Sequence, residues 1–177
     1  MSNIKKINEY FKMLSEAFDN PVEIRWVNKD NNLIGLFIVN DNVYQINCNN
    51  IGDNFWTYKF FFYDKLKNVM DPNLTGFDKD KYRVLPTIKN GLIYLIENKN
   101  IDCLIYGALD DSLSRKKLYN DISNEISTKY NFEYITQGIG EMGKKQIYIL
   151  YKSSVDRDLL FKKVEKIVND IENEINF

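Results

Sequence analysis

The sequence predicts an α+β fold, with a mixed, mainly antiparallel sheet flanked by helices and a C-terminal amphipathic helix. Three observations predict it. Short β-rich runs separated by Asn-rich turns fill residues 22–63, which is typical of antiparallel strands. Helical periodicity then alternates with apolar runs over residues 83–151, and residues 155–175 carry an apolar stripe. A chain of 177 residues that is 44% hydrophobic can bury a core of its own.

The first half of the chain reads as one helix and four strands. Residues 3–19 predict a helix because apolar residues recur there at helical spacing: Ile4, Ile7, Tyr10, Phe11, Leu14, Ala17 and Phe18. Strands are predicted at 22–27, 33–39, 43–48 and 55–63, with a hairpin turn at 40–42 whose Asn and Asp residues tolerate positive φ. The fourth strand is aromatic on both faces, which favours a central place in the sheet. Residues 64–81 read as a long loop, with a helical turn at 65–70.

The second half reads as three helices and three strands. Helices are predicted at 83–98, 113–129 and 155–175, and strands at 101–108, 132–137 and 146–151. We therefore divide the chain into a domain at 1–153 and an appended amphipathic helix at 154–177. That helix either folds back onto its own sheet or serves as a partner-binding, oligomerising surface.

Composition excludes several classes of function. Lys and Arg number 24 against 25 Asp and Glu, so the net charge of −1 predicts no nucleic-acid partner. No apolar run reaches the ~18 residues that span a bilayer, and the N-terminus does not read as a signal peptide, so no membrane partner is predicted. The absence of histidine removes His-dependent triads and the commonest metal ligand, so no metal is predicted. Cys48 and Cys103 read as buried free thiols in a reducing compartment.

Three motifs have both a chemical and a structural interpretation. Residues 138–144 fit G-x-x-x-x-G-K, but Lys145 and a strand follow where a P-loop needs Ser or Thr and a helix, so we interpret them as a hairpin tip. Asp110 and Asp111 suit a Mg²⁺ site, but helix capping explains them better. Arg115 at a helix start opposes the helix dipole, so it predicts a salt bridge or, less favoured, an anion.

Four short motifs occur in a defined order along the chain. They are Asn20-Pro21, Thr75-Gly76, Val84-Leu85-Pro86-Thr87-Ile88, and Ser114-Arg115-Lys116-Lys117-Leu118-Tyr119 with Tyr130-Asn131-Phe132 after it. Together they resemble the GNAT N-acetyltransferase superfamily and, more narrowly, small GNAT-like proteins of bacteriophages. The resemblance covers roughly residues 20–152. It implies an antiparallel half followed by a helix, a diverging strand, a second helix and a closing hairpin.

The resemblance also implies where a cofactor and a catalytic group would lie. Thr75, Gly76 and Arg115 are the candidate cofactor-binding residues. Tyr119 matches the tyrosine that the family uses as a general acid, and packing in the core is an equally good interpretation of it. The chain departs from the family in the loop that binds the pyrophosphate of acetyl-CoA. Residues 74–82 carry a single glycine together with Asp78 and Asp80, whose charges repel phosphate.

These observations predict a non-catalytic bacteriophage protein that uses a degenerate GNAT-like fold as a protein-interaction scaffold. The expected partner is a second copy or a virion protein, bound through the C-terminal helix, in the host cytoplasm or the virion. No cofactor is expected. One alternative is an acyl-CoA-dependent N-acetyltransferase that binds acetyl-CoA through an atypical loop. Another is an inhibitor of a host defence protein.

Overall fold

The computed structural model describes residues 21–65, 67–71, 81–108, 113–140 and 145–175. Within these ranges the fold is α+β, with eight strands and three helices, and the sheet is open and mainly antiparallel, as predicted. The strands are β1 (Arg25–Lys29), β2 (Asn32–Val39), β3 (Asn42–Asn50), β4 (Phe55–Asp64), β5 (Val69–Asp71), β6 (Cys103–Ala108), β7 (Glu133–Ile139) and β8 (Lys145–Tyr151). The helices are α1 (Lys81–Asn98), α2 (Leu113–Tyr130) and α3 (Arg157–Ile175). The helix predicted at residues 3–19 lies outside the described residues.

The strands pair in the order β1-β2-β3-β4-β6-β8-β7, and β5 pairs with β4. The chain divides into two compact units. Unit 1 takes in the described residues of 1–47 and 60–98, and unit 2 those of 48–59 and 99–177. The aromatic strand β4 has neighbours on both edges, as its two aromatic faces predicted.

In unit 1, one face of the sheet is aromatic and is covered by α1. The ring of Phe37 stacks on that of Tyr44 at 5.2 Å between centroids, and Tyr44 stacks on Phe60 at 5.7 Å. Trp26 stacks on Tyr94 of α1 at 4.7 Å. Trp26 lies opposite Gly35 in the β1–β2 register, so both residues are on the face that α1 covers. Residues two apart on a strand share a face, so Phe37 is on the α1 side as well.

The turn between β2 and β3 is the predicted tight hairpin. Asn40 and Asp41 take φ values of 47° and 66°, the left-handed region in which Asn and Asp are the favoured non-glycine residues. Strand β1 begins at Arg25, three residues later than predicted. Ahead of it, Val22 donates its backbone N–H to Thr87 Oγ1 at 2.9 Å, and the Thr87 hydroxyl donates to the Arg83 carbonyl one turn earlier in α1.

The helical turn predicted at residues 65–70 is wrong. Residues 69–71 form strand β5, which pairs antiparallel with the end of β4. A turn made by local polar contacts reverses the chain: the Lys67 N–H bonds to Asp64 Oδ1 at 3.2 Å, and Asn68 has a φ of 56° and accepts a hydrogen bond from the Tyr63 hydroxyl. Side-chain bonds of this kind compete with helix formation.

In unit 2, β6 runs parallel to β4 and antiparallel to β8. The parallel pairing joins Phe55–Tyr58 to Cys103–Tyr106. One face of these strands packs against α3, since Leu160 and Val164 belong to one buried cluster with Phe55, Cys103, Ile105 and Ile149. Helix α3 therefore folds back onto the sheet of its own unit, one of the two alternatives that the sequence left open. The division of the chain at residue 153 stays a prediction.

The opposite face of unit 2 packs against α2. Tyr106 of β6 and Tyr148 of β8 lie opposite each other in the register, and both contact Tyr119 of α2.

Cys48 and Cys103 are buried and free, as predicted. Among the described helices, none is long and apolar enough to cross a membrane.

Candidate functional site

The structure describes one of the four sequence-predicted site residues in full. Tyr119 lies on α2 and is 8% exposed. Arg115 lies in the first turn of α2, but its side chain is outside the described residues, as are Thr75, Gly76, Asp110 and Asp111. The candidate site can therefore be built from Tyr119 and its surroundings.

Tyr119 is one of three tyrosines that pack together, here called the tyrosine cluster (Tyr106, Tyr119 and Tyr148). Each pair of rings has its centroids 5.6 Å apart. Tyr106 and Tyr148 come from adjacent antiparallel strands, and Tyr119 reaches them from α2 because it lies on the apolar stripe that it shares with Ile122 and Ile126. Buried aromatic packing of this kind contributes to stability through area and ring geometry.

The hydroxyls of Tyr106 and Tyr148 are bound by hydrogen bonds to α2. The Ser123 hydroxyl donates to the Tyr119 carbonyl at 2.7 Å. Since this uses its one proton, the Tyr106 hydroxyl is the donor in its 2.6 Å contact with Ser123 Oγ. The Tyr148 hydroxyl donates to the Lys116 carbonyl at 2.9 Å, with Gln146 Oε1 at 3.2 Å. These bonds fix α2 against β6 and β8.

Burial keeps two phenols of the cluster, those of Tyr106 and Tyr148, in the neutral form. Burial raises the pKa of Tyr148 to about 12, with a smaller effect of Tyr134. Burial also raises the pKa of Tyr106, against a smaller opposing effect of its bond to Ser123. The pKa of the nearby Tyr58 lies well above its ordinary value for the same reason. Phenols of this kind donate hydrogen bonds and do not act as bases at neutral pH.

The glycine-rich segment at residues 138–145 joins two antiparallel strands. Gly138 and Ile139 end β7, Gly140 has a φ of 75°, and Lys145 begins β8; residues 141–144 lie outside the described residues. Because strand β8, and not a helix, begins at Lys145, the described residues after the glycines do not supply the helix N-terminus that a P-loop needs. The hairpin interpretation is confirmed.

Neither a known protein family nor a curated protein nor a solved structure matches this chain. Within the ranges that the structure describes, no group of three or more His, Cys, Asp and Glu side chains is placed to hold a metal ion.

Sequence reasoning missed a second polar site in unit 2, a cavity of about 330 Å³. Its lining is Asp53, Asn54, Phe55, Asp102, Ser154, Val155, Asp156 and Leu159. The carboxylates are already engaged in structural bonds. Asp53 pairs with Lys163 at 2.7 Å, and Asp156 Oδ1 caps α3 by accepting the Leu159 N–H at 2.9 Å.

Asp102 joins three segments around this cavity. Its carboxylate accepts hydrogen bonds from Asn54 Nδ2 and Lys152 Nζ, each at 2.9 Å, and these two bonds lower the pKa of Asp102. Its backbone N–H donates to the Asn54 carbonyl, and its carbonyl accepts the Lys152 N–H. The sequence does show an Asp directly before a buried apolar strand, which could have indicated a polar site. Its partners Asn54 and Lys152 lie 48 and 50 residues away along the chain, so no local pattern identifies them. These bonds tether a turn and two strands, so the polar groups of the site stabilise the fold.

Proposed function

We propose that this chain is a non-catalytic bacteriophage protein that uses a degenerate GNAT-like fold as a protein-interaction scaffold, as a virion or assembly component. The observation that carries this proposal is the state of Tyr119. A general-acid tyrosine must reach a substrate, whereas Tyr119 is buried against Tyr106 and Tyr148 and anchors α2 to the sheet.

The element order supports the GNAT-like part of the proposal. An antiparallel run of strands β1 to β4 is followed by α1, by β6 in parallel with β4, by α2 and by the β7–β8 hairpin. The parallel pairing stops at Tyr58 and Tyr106, although β4 continues to Asp64 and β6 to Ala108. A strand that pairs only in part with its neighbour is what the family's diverging strand would produce.

The proposal predicts that acetyl-CoA does not bind. A ligand at a hundred times its dissociation constant stabilises a protein by about 2.7 kcal/mol, which raises the melting temperature by several degrees. We expect no change in the melting temperature of the full-length protein when millimolar acetyl-CoA is added. A reproducible, saturable rise would contradict the proposal and favour the acyltransferase alternative.

The proposed interaction surface is the outer side of α3, where Phe161 is 58% exposed among charged residues. Exposed aromatic side chains on a rigid helix are frequent anchors of protein interfaces. We expect Phe161→Glu to reduce the assembly mass of the purified protein to that of a monomer, as measured by analytical ultracentrifugation. Lys162→Glu, a charge change on the next exposed position, is the matched control and should leave the mass unchanged.

Two outcomes would count against this surface. One is a wild-type protein that is monomeric at all concentrations and absent from purified virions. The other is an assembly whose mass is the same for Phe161→Glu and for the wild-type chain, which would place the interface elsewhere. The acetyl-CoA titration is independent of both results, because it tests catalysis and not assembly.

A further inference from the structure

Strand β7 ends the pairing order, so its outer edge has no strand partner among the residues that the structure describes. It is seven residues long, contains no proline and no lysine, and has its single charged residue, Glu133, at its first position. Natural edge strands are commonly protected from further pairing by lysine, proline or short length. Strand β1, at the other end of the order, has Arg25 and Lys29 among its five residues. The edge of β7 is therefore open to a further strand.

Every second residue of β7 points its backbone groups to this outer edge. The Gly138 carbonyl accepts a hydrogen bond from the exposed side chain of Gln137 at 3.2 Å. The carbonyl of Gln146, which lies opposite Gly138 on β8, points away toward β6, because its oxygen would lie 3.1 Å from a Cβ placed on Gly107. Inward and outward residues alternate along an antiparallel strand. The outward residues are Tyr134, Thr136 and Gly138.

We propose that the β7 edge pairs with the β7 edge of a second copy of this chain, antiparallel about a two-fold axis at Thr136. This surface is distinct from the outer side of α3, so the inference goes beyond the proposed function. Only the register centred on Thr136 pairs all seven residues of the strand, and it sets the outward residues opposite one another. Each opposed outward pair exchanges two backbone hydrogen bonds.

The side chains of β7 suit this register. It sets Tyr134 opposite Gly138 of the second copy, and the glycine leaves room for the tyrosine ring. An aromatic residue across from a glycine stabilises edge strands in this way. Ile135 falls opposite Gln137 of the second copy, so no two charged side chains of β7 face each other.

The charges near β7 favour a second copy as the occupant. Glu133 falls opposite Ile139 of the second copy, and Lys145 follows Ile139 in the same row on β8. Two strand spacings of ~4.8 Å put the Cα atoms of Glu133 and that Lys145 ~10 Å apart, near enough for their long side chains to attract. The two Glu133 residues lie ~20 Å apart, beyond the Debye length of ~8 Å. The pairing therefore brings opposite charges together and keeps like charges apart.

The size of the contact predicts a weak dimer. Seven residues at ~3.3 Å each make an edge ~23 Å long, and a strip ~10 Å wide covers roughly 230 Å² per copy. A stable complex buries ~800 Å² per partner. We therefore expect edge pairing at high protein concentration, above the range in which the Phe161→Glu protein should be monomeric. The two surfaces can then be tested separately.

The test is disulfide cross-linking at the two-fold axis in the full-length protein. Thr136→Cys places two thiols in a hydrogen-bonded pair with Cα atoms ~5.5 Å apart, within the ~4.4–6.8 Å that a disulfide spans. Glu133→Cys, also exposed and on the same strand, is the matched control, because its two copies would be ~20 Å apart. With diamide as the oxidant, which accepts the two protons and two electrons of the thiols, Thr136→Cys should form a covalent dimer at least about tenfold faster. The native Cys48 and Cys103 are buried and should stay unmodified.

A second pair of variants, made in the Thr136→Cys protein, tests the backbone bonds. Gly138→Pro removes an N–H that points outward, so the β7–β8 ladder stays intact and the cross-linking rate should fall to that of Glu133→Cys. Gly138→Ala keeps this N–H and should leave the rate unchanged. Melting curves followed by circular dichroism check that each variant is folded.

Three results would overturn the edge pairing. One is an equal rate for Thr136→Cys and Glu133→Cys at high protein concentration. Another is an equal rate for Gly138→Pro and Gly138→Ala in proteins with matching melting curves. The third is loss of cross-linking when Phe161→Glu is added, which would assign the association to α3 and leave the proposed function standing. We expect cross-linking to persist in that variant at high concentration.

Discussion

Raising the pH above about 10 should unfold unit 2 in one cooperative step, because its buried phenols and thiols must then ionise. Burial raises the pKa of Cys48, Cys103 and Tyr148 to about 12 each. Burial raises the pKa of Tyr58 and Tyr106 as well. In the unfolded chain the same groups titrate near their ordinary values, ~8.5 for Cys and ~10 for Tyr.

The sign of this effect follows from proton linkage. Between the unfolded and the folded pKa values, the folded state holds protons that the unfolded state has released, so unfolding is favoured as the pH rises. The stabilisation by these groups is complete below the unfolded pKa values and is lost as the pH approaches 12, the folded value of Tyr148 and the two thiols. Several groups act together, so the loss of stability should be steep.

The measurement is a pH titration followed by circular dichroism and by tyrosinate absorbance. We expect the buried tyrosines to ionise in the same step in which secondary structure is lost. Tyr106→Phe should be less stable at neutral pH, because the hydrogen bond to Ser123 is lost, and should have a shallower dependence on pH above ~10. Gradual ionisation of all tyrosines with unchanged circular dichroism would contradict the burial of the cluster.

The strands could be located from the sequence because their signals are local. The period of two in β2, the Asn-Asp turn at residues 40–41 and the aromatic run of β4 each specify a structure within ten residues. Strand β5 was missed because it is three residues long and lies among charged residues. What makes it a strand is its pairing with Tyr63 and its neighbours on β4, which no local pattern contains.

The candidate site was predictable only in part, for the same reason. The sequence left packing and a general-acid role as equal interpretations of Tyr119, and the structure buries it together with Ile122. Its partners Tyr106 and Tyr148 come from two strands that the sheet places side by side, so the enclosure of Tyr119 is a tertiary effect. A resemblance to a catalytic tyrosine carries no information on how the side chain packs, whereas the structure shows Tyr119 buried against Tyr106 and Tyr148.

Lys163→Met should destabilise the protein by about 2 to 3 kcal/mol, the range expected for losing charged hydrogen bonds from a mostly buried group. Lys163 lies on α3 and its side chain is 17% exposed. Its ammonium group donates to the carbonyls of Ile51 and Gly52 at 3.2 and 3.0 Å and lies 5.0 Å from the centroid of the Phe55 ring. Methionine keeps the length and the apolar stem of lysine, so the change removes the charge and its bonds.

The turn that Lys163 binds explains why the effect should be large. Gly52, Asp53 and Asn54 all have positive φ, at 91°, 56° and 57°, and such a turn is costly without external bonds. The bonds to the two carbonyls matter more than the ion pair to Asp53, because the Asp53 side chain is 62% exposed and its charge is screened by water. Asp53→Asn should therefore cost much less than Lys163→Met.

The matched control is Lys166→Met, which removes the same charge from an exposed position of the same helix. We expect this control to change the free energy of unfolding by less than about 0.5 kcal/mol, as measured by urea denaturation. Amide exchange locates the effect, since the Ile51 and Phe55 N–H groups bond within the turn and should exchange faster in Lys163→Met alone. Equal losses of stability for the two lysine variants would show that net charge, and not the bonds from α3 to the turn, stabilises this part of unit 2.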